Sequence, residues 1–215
     1  MRMVLAFVAL IGGAILVMAL FGRPNDGKSF TPKEEAPPTS APAQQAAAAD
    51  PARAKAFDKY KEGAIQATLE IENRGTMKLE LYPKAAPKTV AHFVELAKKG
   101  FYDGIKFHRI VPNFVIQAGD PESKNVGPDE FDSRMVGTHG SGKMVPLEAN
   151  LPHVKDSIGL ARSQEEDSGD SQFYINLKDN ADLDGKYCVF GRVIEGADIA
   201  AKVEKGDKIT RLSVP

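Results

Sequence analysis

The chain has 215 residues, 42% hydrophobic and 27% charged, with a formal net charge of −1. That length suits one domain with additions or two small ones, and the balanced charge excludes the basic stripe of a nucleic-acid binder. The single cysteine, Cys188, excludes an internal disulfide and a cysteine-built zinc site.

Val4 to Gly22 is apolar throughout. At about 1.5 Å per residue, such a run forms a helix of about 28 Å, close to the thickness of a bilayer core. It is longer than the apolar stretch of an ordinary signal peptide, and its only passable exit is Val17-Met18-Ala19. The run therefore reads as an uncleaved membrane anchor, with a cleaved signal as the alternative. Arg2 lies on one side and Arg23, Lys28 and Lys33 on the other, so charge alone does not orient it. The very short N-terminal tail fits export of the rest of the chain. The catalytic part is thus placed outside the cytoplasm (periplasmic), or secreted if the signal is cleaved. Three regions result: residues 1–23, anchor or signal; 24–63, a Pro/Ala-rich linker; and 64–215, a folded domain.

Pro24 to about Asp50 is rich in Pro, Ala, Gln, Ser and Thr. With almost no large apolar residues it cannot bury a core, and it reads as a disordered tether. Pro51 to Glu62 has the makings of a short helix carrying Phe57 and Tyr60. From Ala64 the character changes. Ile65, Ala67, Leu69 and Ile71 alternate with polar residues, Asn73-Arg74-Gly75 makes a turn, and Met77, Leu79 and Leu81 alternate again. This is a β-hairpin with one buried face. Val90, Phe93, Val94 and Ala97 follow at i, i+3, i+4 and i+7, an apolar helix face between Pro87 and Gly100. Short apolar runs then recur at 105–111, 114–118, 157–161, 173–177, 187–193 and 209–214. A second small helix is expected from Gly196 to about Val203. Many short strands with few helices indicate a sandwich or barrel, and periodicity alone does not separate the two.

Three segments carry more than periodicity: Phe107–Pro121, FHRIVPNFVIQAGDP; Ser171–Leu177, SQFYINL; and Leu183–Gly196, LDGKYCVFGRVIEG. In this order and at these separations they resemble the cyclophilin family of peptidyl-prolyl cis/trans isomerases. The hairpin, Pro87-Lys88-Thr89-Val90 and Gly100-Phe101-Tyr102-Asp103-Gly104 agree with the same pattern. The resemblance implies a mainly β fold, a closed eight-stranded antiparallel barrel capped by two α-helices, with the site on the outer barrel face. The stretch between Arg162 and Ser171 looks like that of bacterial members. The implied enzyme acts on X–Pro bonds of peptides and unfolded protein clients, assists folding of exported proteins, and works as a monomer without metal or cofactor. A non-catalytic proline-peptide chaperone or scaffold on the same fold is the alternative.

Isomerising an X–Pro bond breaks no covalent bond. The barrier is amide resonance, about 18–20 kcal/mol. A catalyst must hold the proline ring, exclude water and offer a donor to the twisted amide, which is differential binding of the transition state. Arg109 offers a permanently charged fork of donors, and the resemblance gives it the catalytic position. By the same resemblance, Gln117 orients the substrate backbone and braces the arginine. Phe114, Val115, Tyr174 and Leu183 form the proline pocket, and Ala161 and Arg162 lie on the edge whose backbone pairs with the peptide. Tyr187 stands where many members have histidine, and His108 serves as a hydrogen-bonded support in the site floor. The sequence also departs from the family at Val115 (usually methionine), Tyr174 (usually phenylalanine), Ala118 (commonly glycine) and Asp182 (often tryptophan in eukaryotic members). Those changes leave activity expected and tight cyclosporin binding not expected.

Two other signals are weaker. Gly137 to Lys143 has the spacing of a phosphate-binding loop, but Met144 replaces the hydroxyl residue and Val145-Pro146 blocks a following helix. It reads as a flexible loop. Glu165 to Asp170 is acidic without calcium-loop spacing, and reads as a solvated loop. His92, His108, His139 and His153 stand at no metal-ligand spacing.

Overall fold

The computed structural model describes residues 51–215, so the expected anchor and most of the expected tether lie outside the described residues. Among the described residues, no helix is long and apolar enough to cross a membrane.

The described chain is mainly β. A short helix α1 (Pro51–Lys55) precedes the hairpin β1 (Ile65–Ile71) and β2 (Gly75–Leu81), followed by α2 (Pro87–Lys98), β3 (Arg109–Val111) and β4 (Val115–Ala118). Then come β5 (Ser157–Leu160), β6 (Phe173–Asn176), β7 (Cys188–Glu195), the single-turn α3 (Ala197–Ala200) and β8 (Ile209–Ser213). These strands form one antiparallel sheet in the order β3-β4-β6-β5-β7-β2-β1-β8. The hairpin has the expected register, from Ile65 opposite Leu81 to Ile71 opposite Gly75. Its alternation buries Ala67, Leu69, Ile71, Met77, Leu79 and Leu81 on one face.

Helix α2 lays Val90, Phe93, Leu96 and Ala97 on that core, with Val94 at its margin. Phe93 packs edge-on against Phe173, centroids 5.6 Å apart, and tilted against Phe190 at 5.0 Å. Each end of α2 is satisfied. At the start the Glu148 carboxylate accepts from Lys88 N at 3.1 Å and Thr89 N at 2.9 Å, where helix N–H groups lack partners. At the end Gly100 takes φ +67° while Phe101 N donates to Leu96 O and Gly100 N to Ala97 O, a Schellman closure.

Three expectations change. The strand ladder is open where a closed barrel was expected: β3 and β8 end the series. A seam of backbone bonds joins the segment before β3 to the start of β8: Gly104 N donates to Ile209 O at 2.8 Å, Ile209 N to Ile105 O at 2.8 Å and Phe107 N to Asp207 O at 2.9 Å. Gly104 and Gly206 beside this seam have φ of +85° and +97°, which takes the chain out of regular strand geometry. The second helix is only the four residues of α3, shorter than the reading from Gly196 to Val203. Finally, folded structure begins before Ala64. Phe57, placed in the linker by the sequence reading, is fully buried against Tyr82, Ala85, Leu151, Val154 and Val189. Its ring meets Tyr82 at 5.4 Å and Arg192 lies over it at 5.5 Å.

Burying a phenylalanine this fully removes a large apolar area from water, and truncating it leaves a cavity. In the full-length chain, Phe57→Ala is expected to lower unfolding free energy by about 3–5 kcal/mol, read from the urea midpoint. A residue in a loose linker would give no shift.

Candidate active site

The site is built on three adjacent strands. Arg109 pairs with Gln117 across β3 and β4, and Gln117 pairs with Tyr174 across β4 and β6. Because strand side chains alternate, Val115 and Gln117 leave one face of β4 while Ile116 and Ala118 enter the core. Val115, Tyr174 and Leu183 form a separate buried apolar cluster on the outer face, with Phe114, Ala161 and Tyr187 packed against it. The Arg109 guanidinium sits 5.9 Å from the Phe114 ring centroid. A cation over an aromatic face is attracted to it, which keeps the guanidinium beside the apolar surface.

Polar contacts set the geometry around this cluster. Gln117 Nε2 donates to Gln172 Oε1 at 2.9 Å. Gln172 Nε2 in turn donates to Gly137 O at 2.7 Å and His139 O at 2.9 Å. The same loop is gripped by Asp120, fully buried, whose Oδ2 accepts from Gly137 N at 2.6 Å and His139 N at 2.9 Å. At its far end Gly142 N donates to Asp170 Oδ2 at 2.8 Å, and Val145 bridges to Gly169. The Gly137–Lys143 segment is therefore pinned by two carboxylates rather than free, a correction to its reading as a flexible loop.

The remaining members close the rim. Arg162 stacks over Tyr187, 4.8 Å from its centroid, and its Nε donates to Lys186 O at 2.9 Å. Its Nη1 donates to Ser163 O and Gln164 O, both at 2.9 Å, so the side chain ties two loops together. Ala161 N donates to Gln172 O. Asp182 is exposed on the short 3₁₀ turn Ala181–Leu183, where it adds no apolar wall.

His108 lies under the site, beside Gln172. It is buried, and its backbone N donates to Gln117 O at 3.1 Å. Burial pushes its pKa down to about 4, against the pull of Asp120, so the ring is neutral at ordinary pH. Cys188 behaves as the small core hydrophobe expected of it, with burial raising its thiol to about 12.

A family model described as cyclophilin type peptidyl-prolyl cis-trans isomerase/CLD matches residues 66–214. The chain belongs to the cyclophilin-type peptidyl-prolyl isomerase family. Bacillus subtilis peptidyl-prolyl cis-trans isomerase B is 36% identical over 146 residues, covering 67% of this chain and 94% of that protein. A peptidyl-prolyl cis-trans isomerase of Helicobacter pylori strain J99 is 37% identical over 159 residues, covering 72% of this chain and 92% of its own length. Among solved structures, a Cryptosporidium parvum cyclophilin-type isomerase superposes with a TM-score of 0.60 at 22% identity, covering 71% of this chain and 98% of that one.

Val115, Tyr174 and Leu183 share one cluster with Phe114, Ala161 and Tyr187; Arg109 lies by Phe114, Arg162 by Tyr187, and Gln117 pairs with Arg109. The sequence reading did not assign Gln172, Asp120 or His153. Gln172 sits inside the quoted SQFYINL segment, so its position was visible while its contact with Gln117 was not. His153 lies in the loop before β5, and its Nε2 is 2.8 Å from the Tyr174 hydroxyl. Gly159 marks that neighbourhood, because a Cβ there would overlap the Tyr174 phenol.

Burial also lowers the His153 pKa to about 4. A histidine with a folded pKa below its unfolded value of about 6.5 binds protons more readily when unfolded. Its contribution to stability is therefore complete above that value and is lost as pH falls toward 4. Each of His108 and His153 is expected to cost on the order of 2 kcal/mol between pH 7 and pH 4.5. Urea titrations across that range should show the decline, and His108→Leu should flatten it.

Proposed function

We propose that this domain catalyses cis/trans isomerisation of X–Pro peptide bonds on its outer β3–β4–β6 face. The observation that carries the reading is the cross-strand pairing of Arg109 with Gln117 beside the Val115–Tyr174–Leu183 pocket. The proline ring enters the apolar cluster, and Phe114 shields one side. Arg109 donates to the amide as it twists and its nitrogen lone pair localises. Gln117, held by Gln172, orients the substrate carbonyl. The backbone at Ala161 and Arg162 pairs with the extended peptide by main-chain bonds. No covalent intermediate is needed; the rate gain comes from donors already in place when resonance is lost.

Related proteins support a proline-peptide ligand. A second structure of the Cryptosporidium isomerase was solved in the presence of the dipeptide Ala-Pro, at a TM-score of 0.58 and 23% identity to this chain. The apolar Val4–Gly22 run supports a membrane-tethered domain outside the cytoplasm that assists folding of exported clients. The seam between Gly104–Phe107 and Asp207–Ile209 supports closure of the sheet into a barrel.

Arg109→Ala is expected to lower kcat/KM for a proline tetrapeptide by about 10²–10³, or roughly 3–4 kcal/mol of barrier. Peptide affinity should change much less, because the donor acts on the twisted form. Wild-type turnover in the variant would show that Arg109 is not the donor. Peptide binding by a wild-type protein that accelerates no isomerisation would favour a binding module instead.

A further inference from the structure

Behind the outer-face pocket runs a line of polar groups that the isomerisation chemistry does not use. It starts at the Tyr174 hydroxyl, 2.8 Å from His153 Nε2, with the two rings nearly parallel at 14° and 6.0 Å between centroids. The His153 side chain is fully buried. Its Nδ1 lies 3.1 Å from Asp184 Oδ1, and the same oxygen accepts the His153 backbone N–H at 2.7 Å. Arg53 ends the line: its Nη2 is 2.8 Å from Asp184 Oδ2 and donates to His153 O at 3.3 Å. The chemistry of the groups fixes the protons. An ionised carboxylate only accepts, so Nδ1 carries the proton and donates to Asp184, leaving Nε2 to accept from the phenol. Burial keeps the imidazole neutral, with its pKa near 4, and holds the phenol well above its ordinary 10.

The four residues come from four parts of the chain. Arg53 is on α1, His153 precedes β5, Tyr174 is on β6, and Asp184 follows the Ala181–Leu183 turn. Two of these parts are pocket walls. Asp184 stands between Leu183 and Tyr187, and Tyr187 N donates to Leu183 O, so a held Asp184 fixes that whole wall.

We propose that Arg53, Asp184 and His153 are positioning residues for the proline pocket, so that the short helix α1 ahead of the first strand sets peptide affinity. The proposal rests on the reading that the proline ring packs against Tyr174. Strand pairing fixes the Tyr174 backbone but not the ring about its side-chain bonds. The hydroxyl does that: turned away from His153 it would be a buried polar group without a partner, which is costly. Gly159 leaves the space the phenol occupies. The pocket consequently sees only the apolar ring of Tyr174, while its polar end is consumed behind the wall. This is how tyrosine stands in a place that calls for a purely apolar aromatic. It also gives the segment at Arg53 a route to the site, through an ion pair whose side chains are about a quarter and a third exposed, 24% and 32%.

The test compares the full-length wild type with Arg53→Met, Asp184→Asn and His153→Leu in a proline-peptide isomerisation assay. Positioning predicts KM raised roughly five- to tenfold with kcat within about twofold, since walls that are less well held weaken binding of ground and transition states alike. The double variant Tyr174→Phe/His153→Leu, which removes both partners, should recover part of the affinity lost in His153→Leu. In imidazole nitrogen NMR of the wild type, His153 should be the neutral Nδ1–H tautomer at pH 6, and Tyr174→Phe should shift its Nε2 resonance. Arg53→Met and Asp184→Asn change partly exposed groups and keep the test open if His153→Leu does not fold. Unchanged KM in folded Arg53→Met and Asp184→Asn, with Val115 and Tyr174 resonances moving on peptide addition, would overturn the relay alone. If those resonances do not move in the wild type, the pocket assignment fails and the proposal falls with it.

Discussion

The two-residue period of a β-strand governs where this domain can hold a site. On β4 the run Val115-Ile116-Gln117-Ala118 is buried throughout, yet its members belong to different environments. Ile116 and Ala118 join the core, while Val115 joins the pocket and Gln117 meets Gln172. β6 repeats the division, with Phe173 and Ile175 inward and Tyr174 outward. A slip of one residue would exchange the two sets. The register is held by the core side, where Phe93, Tyr102, Phe173 and Phe190 interlock at centroid distances of 5.0 to 5.6 Å. Packing of the hidden face thus determines the chemistry of the exposed one.

Register alone leaves side chains free to rotate, and the outer face adds polar ties that remove this freedom. Gln117 is bound to Gln172, which is bound to the Gly137–His139 backbone, itself held by buried Asp120. Tyr174 is bound to His153, and His153 to Asp184. A polar group taken out of water is costly without a partner, so each tie excludes the arrangements that break it. A site whose donors are in place beforehand loses no free energy to reorganisation as the amide twists. The near-absence of regular secondary structure between Pro121 and Lys155 is consistent with this division of labour: the strands supply precision, and that long connection supplies partners for them.

Much of the site was legible because its residues sit in short contiguous segments. Arg109, Phe114, Val115 and Gln117 fall within the single quoted segment Phe107–Pro121, whose resemblance to the family named them together. The first hairpin and α2 were legible through local periodicity and the Gly100 stop. Arg53, Phe57, Asp120, His153 and Gln172 were not, because their roles depend on contacts across the chain. Arg53 meets His153, 100 positions away, and Asp184, which lies farther still. Phe57 was read on a short helix within the linker, and its burial stayed hidden because its partners Tyr82, Leu151 and Val189 lie far along the chain.

The amino-acid sequence by itself determined the family, the mainly β character, the buried face of the first hairpin and the candidate donor and pocket. The hairpin face and the β character follow from side-chain alternation over a few residues, while the family and the candidate donor and pocket follow from the resemblance of three short segments. Only the tertiary structure decided that Phe57 is buried against Tyr82 and Val189, that the segment before β3 bonds to the start of β8 beside two glycines of positive φ, and that the Tyr174 hydroxyl meets His153. Each of these depends on a distance between residues far apart in the chain. Such distances are set by packing the whole core at once, which no local pattern encodes.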